Sequence, residues 1–487
     1  MSKPLFKIWT GTILSLLAFA SLAQISHNNK NQLPEIGVVA SDALTIDKEK
    51  ILGDAIMRQL RGQAPLLNDP VLQEYIQDIG NRLVVNADNT RFPFTFFIIN
   101  NPVLNAFAFY GGHIGVHSGL ITKAESESEL ASVLSHEIAH VTQRHLARRA
   151  QSQQRSGPLQ IATLIGSILV ALADAEAGMA AISASMAGNQ QAQINFTRQN
   201  EQEADNIGIN ILYRAGFDPE GAPAFFGRLA EQNRGSSNEL AFLRTHPLPN
   251  DRVAETVTRA RAYGKRNLPP SLPFLLARAR IDARYLLNPD YAIARYQQQV
   301  KSNTGVYLSA AQYGLAIALF EDEQYTASET LVTTLLSQDS ENLFYLDLLT
   351  DIYLKQNNPT KSINLLTPLW QFKPQNRVLA LNLANAHLEA ENYGTSIQIL
   401  RDLLLVHEND IVAYQLLNDA YQRTQNKKDA HITQAQIYSL ISAYPLAINE
   451  LQFAYNFAEG DVLERQRIKG LIEKMRMAQE SIQRLSI

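Results

Sequence analysis

The sequence has no cysteine among its 487 residues. This absence excludes disulfide bonds, thiol nucleophiles and zinc sites built from thiolates, but it does not select a redox compartment. An excess of positive charge is also missing, because 43 Lys and Arg stand against 47 Asp and Glu. The sequence therefore offers no electrostatic basis for binding nucleic acid. Hydrophobic residues make up 46%, which is normal, and charged residues make up 18%, below the typical ~25%, so wholesale disorder is excluded. The length predicts about three units.

The N-terminus has the three parts of a secretory signal peptide. Lys3 and Lys7 precede an apolar stretch over residues 8–20, and small residues occupy the −3 and −1 positions of a cleavage site after Ala23. The apolar stretch is shorter than the ~20 residues of a membrane span, although an uncleaved anchor is the alternative. We predict a signal peptide over residues 1–23 and an exported, soluble protein.

The first half of the mature chain mixes helical and strand patterns. Amphipathic spacing predicts helices over residues 46–61 and 70–85. Aromatic and β-branched residues predict a strand over 92–99, and two more strands over 103–110 and 114–121, joined at a pair of glycines. We expect a mixed α+β domain that is mainly helical with a small sheet, over residues 24–270.

The second half repeats with a period of 34 residues. Small residues recur with this period, at Ser328, Ser362, Ser396 and Ala430. Leucines hold the same period at Leu315, Leu349, Leu383, Leu417 and Leu451. A helical period of this length resembles the tetratricopeptide repeat, in which stacked helix pairs share one core. We predict an all-α solenoid over residues 271–487, with a fainter unit near Ile281 that places Ala294 in phase; a non-repetitive helical bundle is the alternative.

The motif H-E-x-x-H lies in the first half. On a helix, His136 and His140 project from one face, so both imidazoles reach a single Zn²⁺. Glu137 lies beside the first ligand and is placed to take a proton from the attacking water and pass it to the leaving amine. The alternative is a helix with two buried, hydrogen-bonded histidines.

The residues that follow this motif exclude one further ligand and one class of metalloprotease. His145 follows His136 by nine residues, which on a continuous helix is the opposite face. The third histidine of the metzincin pattern would fall at Leu146, which excludes that class.

The third protein ligand is expected from a second, acidic helix. Glu201 and Asp205 share one face at a spacing of four residues, whereas Glu203 points elsewhere. We predict that Glu201 binds the zinc, that Asp205 orients a ligating imidazole through its free N–H, and that Glu203 is solvated. An ordinary acidic helix start is the alternative for these acids alone.

These motifs together resemble a known family. His136 and His140 with Glu201 and Asp205 resemble the gluzincins, to which the thermolysin group belongs. More selective features resemble the metallopeptidases that include the HtpX proteases and the CAAX prenyl endopeptidase. These features are Asn105-Ala106-Phe107-Ala108, Gly111-Gly112-His113-Ile114-Gly115-Val116, Gly119-Leu120-Ile121, and His246-Pro247 with Arg252.

An exported member of this family with tetratricopeptide repeats resembles quality-control endopeptidases of the Gram-negative periplasm. The resemblance implies one zinc ion held by His136, His140 and Glu201, with Glu137 as the base. It implies that stalled or misfolded outer-membrane β-barrel proteins are degraded or helped to assemble, and that the repeats contact the β-barrel assembly machinery. A protein-binding chaperone or scaffold with a vestigial or latent metal site is the alternative from a different class.

Several other segments carry two interpretations each. Residues 103–109, which include Asn105, Ala106, Phe107 and Ala108, form either an edge strand that captures substrate or a strand of the core. His113 and His117 are expected to be structural rather than metal ligands. The segment 151–193 forms a lid, a stretch that touches a membrane surface, or a buried helix, and the second of these would make the protein a peripheral membrane protease.

His246 and Arg252 lie in or next to a proline-bounded loop. We hypothesise that His246 closes the open position of the zinc and keeps the enzyme latent, because a fourth imidazole would displace the catalytic water. Arg252 either stabilises the oxyanion or braces the loop.

Overall fold

The computed structural model describes residues 44–154, 190–234 and 241–485. The predicted signal peptide and most of the segment 151–193 lie outside the described residues. The first half of the described chain is mainly helical. Its helices are α1 Ile46–Gln63, α2 Pro70–Val84, α3 Ser118–Lys123, α4 Glu127–Thr142, α5 His145–Gln154, α6 Gln190–Arg214, α7 Gly221–Arg234, α8 Ala241–Thr245 and α9 Asn250–Tyr263.

A three-stranded sheet lies among these helices. It consists of β1 Thr95–Ile99, β2 Ala106–Phe109 and β3 His113–His117, in the order β1-β3-β2. Strand β3 runs parallel to β1 and antiparallel to β2. Gly111 and Gly112 make the turn between β2 and β3 with positive φ angles of 79° and 85°, which glycine adopts without strain.

The predicted strand over residues 114–121 is wrong in its second half, where the chain forms α3. The backbone amide of Gly119 and the Ser118 hydroxyl both donate to the Asn101 carbonyl oxygen, over 2.9 and 3.0 Å. A Cβ at Gly119 would also collide with the backbone of Pro102. The chain leaves the sheet at Ser118 because Ser118 and Gly119 hydrogen bond to the loop at Asn101 and do not continue the strand pairing.

The second half is a stack of helix pairs. Its helices are α10 Leu272–Ile281, α11 Pro289–Ser302, α12 Gly305–Glu321, α13 Tyr325–Gln338, α14 Leu343–Lys355, α15 Pro359–Phe372, α16 Arg377–Glu389, α17 Tyr393–Val406, α18 Ile411–Arg423, α19 Lys427–Leu440, α20 Tyr444–Phe457 and α21 Val462–Leu485. A π-helical turn, Asp282–Leu286, follows α10. Leucines at the predicted 34-residue period are buried throughout, and among the described residues no helix is apolar over a length that could cross a bilayer.

The first helix pair of the stack is out of phase with the prediction. Ala294 is exposed, and Ala292 is the small residue that α11 buries. Like Ser328 in α13, Ala292 is the fourth residue of its helix, so the step between these two units is two residues longer than the period. The π-helical turn lies in this unit.

The two halves share buried contacts. One hydrophobic cluster extends from Leu67 and α2 through α4 to α14 and to Val378 of α16 in the stack. Within it, the Arg280 guanidinium contacts the Asp69 carboxylate through Nε and the Asp347 carboxylate through Nη2, each over 2.6 Å. Asp69 is also the N-cap of α2, so the start of a helix in the first half is tied to a helix of the stack.

Candidate metal centre

Three histidines and one glutamate converge where α4, α6 and α8 meet. His136 and His140 come from α4, Glu201 comes from α6, and His246 follows the last residue of α8. Their donor atoms all lie within 4.8 Å of one another. The Nε2 atoms of His136 and His140 are 3.0 Å apart, and Nδ1 of His246 is 3.1 Å from Glu201 Oε2. Four ligands at ~2.1 Å from one tetrahedral ion would be separated by roughly 3.4 Å, which is close to this spacing.

Local structure explains why these side chains meet. Helix α4 begins after Ser126, whose hydroxyl accepts a hydrogen bond from the Glu129 amide, and its period places His136 and His140 on one face. Gly208 on α6 lies against the backbone of α4, where a Cβ would be only 3.1 Å from the His136 nitrogen. The missing side chain lets α6 approach α4 closely and brings Glu201 to the two imidazoles.

The shifted pKa values of the cluster show that its carboxylates favour a positive charge nearby. Burial would lower the pKa of His136, but hydrogen bonds with Asp205 and Glu201 raise it to about 10. Burial opposes ionisation of Glu201, yet His246 and His140 hold its pKa well below the usual value. The pKa of His140 is well below its ordinary value, chiefly because of burial. Glu201 is therefore ionised and His140 neutral, as a metal ion requires, whereas His136 holds a proton that it would release when a metal ion binds.

Glu137 lies beside the cluster and is almost fully buried. Its Oε1 is 3.3 Å from Nε2 of His246. Burial raises the pKa of Glu137, although His246 and His136 act against this, and the backbone of Ala108 also hydrogen bonds to the carboxylate. This carboxylate therefore lies between the histidines and strand β2.

Asp205 and Arg252 form a buried layer behind the cluster. Asp205 Oδ1 is 3.0 Å from Nδ1 of His136. Arg252 contacts both oxygens of Asp205 over 2.8 Å, and its Nη1 lies 3.0 Å from Glu201 Oε2. Arg252 also donates to the Pro247 carbonyl oxygen. The guanidinium therefore connects the two acids of α6 to the loop that carries His246.

Two of the sequence-based placements are wrong. His145 does not lie on the far face of α4, because α4 ends at Thr142 and His145 begins α5, with Nδ1 only 2.7 Å from Nδ1 of His140. Glu203 is not merely solvated, since its Oε2 is 3.2 Å from His145 Nε2 and accepts a hydrogen bond from Arg148 over 2.8 Å. Burial would raise the pKa of Glu203, but these two partners lower it.

The histidines of strand β3 lie elsewhere. His113 Nε2 is 3.2 Å from Asp54 Oδ1, and its ring stacks on Phe109. Burial lowers the pKa of His117 to about 4, against a hydrogen bond to the backbone of Val103. Among the residues that the structure describes, neither belongs to a group that could hold a metal ion.

The donor set fits zinc. Imidazole nitrogens with one carboxylate, in a compact buried group, are typical zinc ligands, whereas magnesium and calcium prefer oxygen donors. His136, His140, Glu201 and His246 offer four such donors, and Glu137 lies next to them without joining the group.

Comparison with known proteins agrees with this donor set. The family model for peptidase family M48 matches residues 70–260, which include every member of the cluster. The tetratricopeptide repeat model matches residues 353–419. The mitochondrial metalloendopeptidase OMA1 of Schizosaccharomyces pombe is 28% identical over 179 residues, which is 37% of this chain and 50% of that protein.

Other relatives match nearly the whole chain. A Vibrio cholerae protein is 43% identical over 473 residues, 97% of this chain and 98% of its own. The beta-barrel assembly-enhancing protease of Escherichia coli K12 is 38% identical over 480 residues, 99% of this chain and 98% of its own. These matches confirm the predicted zinc metallopeptidase and the repeat fold. The chain belongs to the family of beta-barrel assembly-enhancing proteases, zinc-dependent peptidases that combine an M48 domain with tetratricopeptide repeats.

Proposed function

We propose that this chain is an exported zinc endopeptidase that removes stalled outer-membrane β-barrel proteins in the periplasm or assists their assembly. The proposed hydrolase activity rests on the buried carboxylate of Glu137, which lies beside four converging zinc donors. The substrate class is carried by relatives named beta-barrel assembly-enhancing proteases. Export is inferred from the signal-peptide pattern over residues 1–23.

The residues of the site take distinct roles in this proposal. His136, His140 and Glu201 hold the zinc, which when bound supplies Lewis-acid polarisation of the scissile carbonyl and activates water. Glu137 accepts a proton from the attacking water and delivers it to the leaving amine. Asp205 orients His136 from the far side of its ring.

His246 is proposed to keep the enzyme latent. Its Nδ1 lies among the zinc donors and its Nε2 is 3.3 Å from Glu137 Oε1, so one ring faces both the ion and the base. A tetrahedral ion with four protein donors has no position left for water. The loop that carries His246 must therefore move before catalysis, and His246→Ala should raise proteolysis above the wild-type rate. A rate at or below wild type would exclude latency through this residue.

Of the two roles considered for Arg252, we favour bracing the loop. Its side chain is buried and engaged by Asp205, Glu201 and the Pro247 carbonyl. A guanidinium with these partners is not available to a developing oxyanion without breaking them.

Strand β2 is proposed to bind substrate. In the described residues β2 pairs with β3 on one side only, and the Ala108 backbone contacts Glu137. The residues Asn105, Ala106, Phe107 and Ala108 would therefore hydrogen bond to an extended peptide that passes the base. The alternative, a strand with only a core role, predicts that proline at Phe107 affects stability alone.

The repeat half is proposed to bind protein partners, including the β-barrel assembly machinery. Stacked helix pairs present extended surfaces, and the repeat model matches residues 353–419 of this half. We propose residues 24–270 as the peptidase domain and 271–487 as the repeat domain. This division falls between α9 and α10, although the hydrophobic core continues across it.

The proposal is tested with an unfolded outer-membrane β-barrel protein as substrate. We compare wild type, Glu137→Gln and His246→Ala, each with and without a chelator. Glu137→Gln should retain zinc and lose about 10²–10⁴-fold in rate, because only the proton transfer is removed. Equal cleavage in all arms would reveal a contaminating protease and contradict the proposal.

A chaperone or scaffold function is a second candidate, favoured by the four donors that close the metal site. If this is the main function, Glu137→Gln should suppress aggregation of the same substrate as well as wild type does, and no condition should yield cleavage. Cleavage by wild type or His246→Ala that the chelator abolishes would exclude a purely non-enzymatic role.

A further inference from the structure

The two histidines of α4 are supported in different ways. Nδ1 of His136 faces a carboxylate, Asp205, over 3.0 Å. Nδ1 of His140 faces instead another imidazole, Nδ1 of His145, over 2.7 Å. His145 is buried and lies outside the group that could hold the metal ion. The second histidine of the motif therefore has its own partner, which neither the motif nor the donor cluster includes.

The backbone places His145 in this position. Helix α4 ends at Thr142, and Arg144 has a φ of 53°, a left-handed conformation that is uncommon for a side chain of this size. The Arg144 guanidinium is buried against Glu49, with Nε 2.8 Å from Oε1, and against the carbonyl oxygen of Leu44 over 2.6 Å. These contacts hold the reversal that turns the first residue of α5 back toward His140.

On its other side the His145 ring contacts a carboxylate of α6, the helix that also carries Glu201. Nε2 of His145 is 3.2 Å from Oε2 of Glu203, and Nη1 of Arg148 donates to the same oxygen over 2.8 Å. Glu201 and Glu203 are two residues apart on α6, so they point in different directions. Glu201 faces the cluster and Glu203 faces His145.

The two hydrogen bonds that link His140, His145 and Glu203 can be assigned one direction of proton donation. If His140 presents Nε2 to the zinc, its proton is on Nδ1 and is donated to Nδ1 of His145. His145 then carries its own proton on Nε2, where the Glu203 carboxylate accepts it. We propose that His145 and Glu203 are positioning residues that hold His140 in the tautomer and ring orientation that bind zinc. This inference rests on the proposed ligand role of His140.

The test measures zinc affinity, not activity. His145→Leu removes the acceptor, whereas His145→Asn places Oδ1 near the former Nδ1 position and can still accept from His140. Glu203→Gln keeps an acceptor for His145 but removes the charge. Glu450→Gln is a matched control, because Glu450 contacts an imidazole of the repeat half, His431, over 2.6 Å. Each purified full chain is titrated with zinc against a chromogenic chelator, and its metal-free fold is checked by circular dichroism.

We expect His145→Leu to weaken zinc binding by about 10–100-fold and Glu203→Gln by a smaller factor. His145→Asn should recover most of the loss, and Glu450→Gln should bind as wild type does. Wild-type affinity in both His145→Leu and Glu203→Gln would overturn the inference, as would equal losses in folded His145→Leu and His145→Asn. If His145→Leu does not fold, Glu203→Gln decides the question. A wild-type chain that binds no zinc would overturn the proposed function and this inference with it.

Discussion

The metal centre and the repeat stack bury different kinds of side chain. Around the metal centre the buried residues are ionisable: His136, Glu137, Glu201, Asp205, His246 and Arg252. In the stack the buried positions that recur from one repeat unit to the next are occupied by leucines and small residues. Burying charge costs free energy unless every group is paired, whereas apolar packing is favourable and repeats. The first region is therefore expected to be sensitive to single partners, and the second to shape.

The largest expected effect lies where the first half of the chain meets the stack. Arg280 is a buried cation in the stack that pairs with Asp69 and Asp347. Arg280→Met should lower the free energy of unfolding by about 3–5 kcal/mol, because two buried carboxylates lose their partner. Urea unfolding measures the change. The control is Arg423→Met, which removes a partly exposed pair with Glu389 and should cost no more than about 1 kcal/mol. Equal costs would show that burial does not set the sensitivity.

A buried histidine of the sheet predicts a pH dependence. The unfolded chain binds a proton at His117 below pH ~6.5, whereas burial lowers the pKa in the folded chain to about 4. Stability that is present above pH 6.5 is therefore lost as the pH falls toward 4, by up to about 3 kcal/mol from this residue. His117→Phe should flatten that part of the profile. Urea midpoints of both proteins are compared with a chelator present, and parallel profiles would contradict the prediction.

Two glycines compare close packing in the two regions. A methyl group at Gly208 would be 3.1 Å from the backbone of His136, whereas one at Gly470 in α21 would meet nothing within 4 Å. Gly208→Ala should cost about 1–3 kcal/mol by crowding α6 against α4, and should weaken zinc binding as well. Gly470→Ala should stabilise the chain by about 0.5–1 kcal/mol through helix propensity. Thermal unfolding and zinc titration of both variants measure the difference; a stabilised Gly208→Ala would mean that α6 can move away without consequence.

Features that follow from a local period could be predicted from the sequence. The four-residue spacing of His136 and His140 requires them to share a helix face, and the structure indeed brings them together with Glu201. The same holds for the stack, whose 34-residue period is visible in its leucines. The packing of each unit on the next repeats a local pattern, so no distant contact is needed to recognise it.

Features that depend on distant contacts could not be predicted in this way. His145 turns toward His140 because Arg144 is paired with Glu49, 95 residues earlier in the chain. The strand after Gly112 ends early because Asn101 captures Ser118. Left-handed turn residues also recur every 34 residues, at Glu323, Asn357, Glu391 and Gln425, although none is glycine. Only Asn357 is of a residue type that favours this conformation, so at the other three positions only the period could have pointed to it.

The smallest expected effect tests how alike the repeat units are. Ser328 and Ser396 are fully buried, and their hydroxyls donate to the carbonyl oxygens of Ala316 and Ala384 over 2.7 and 2.8 Å. Ser362 is equally buried, but its hydroxyl has no hydrogen-bond partner among the residues that the structure describes. Ser328→Ala and Ser396→Ala should each cost about 1 kcal/mol, because each leaves a buried carbonyl oxygen with one partner fewer.

In the same series, Ser362→Ala should be neutral or stabilising, since it removes a buried polar group that makes no bond. Urea unfolding of the three variants under one condition measures the contrast. The three serines occupy one position of the repeat, so helix propensity and methyl burial are matched and the hydrogen bond is the remaining difference. Equal losses of unfolding free energy at all three positions would show that the hydroxyl's hydrogen bond does not set the cost. The shape of the repeat position would then set it, which would strengthen the contrast between the stack and the metal centre.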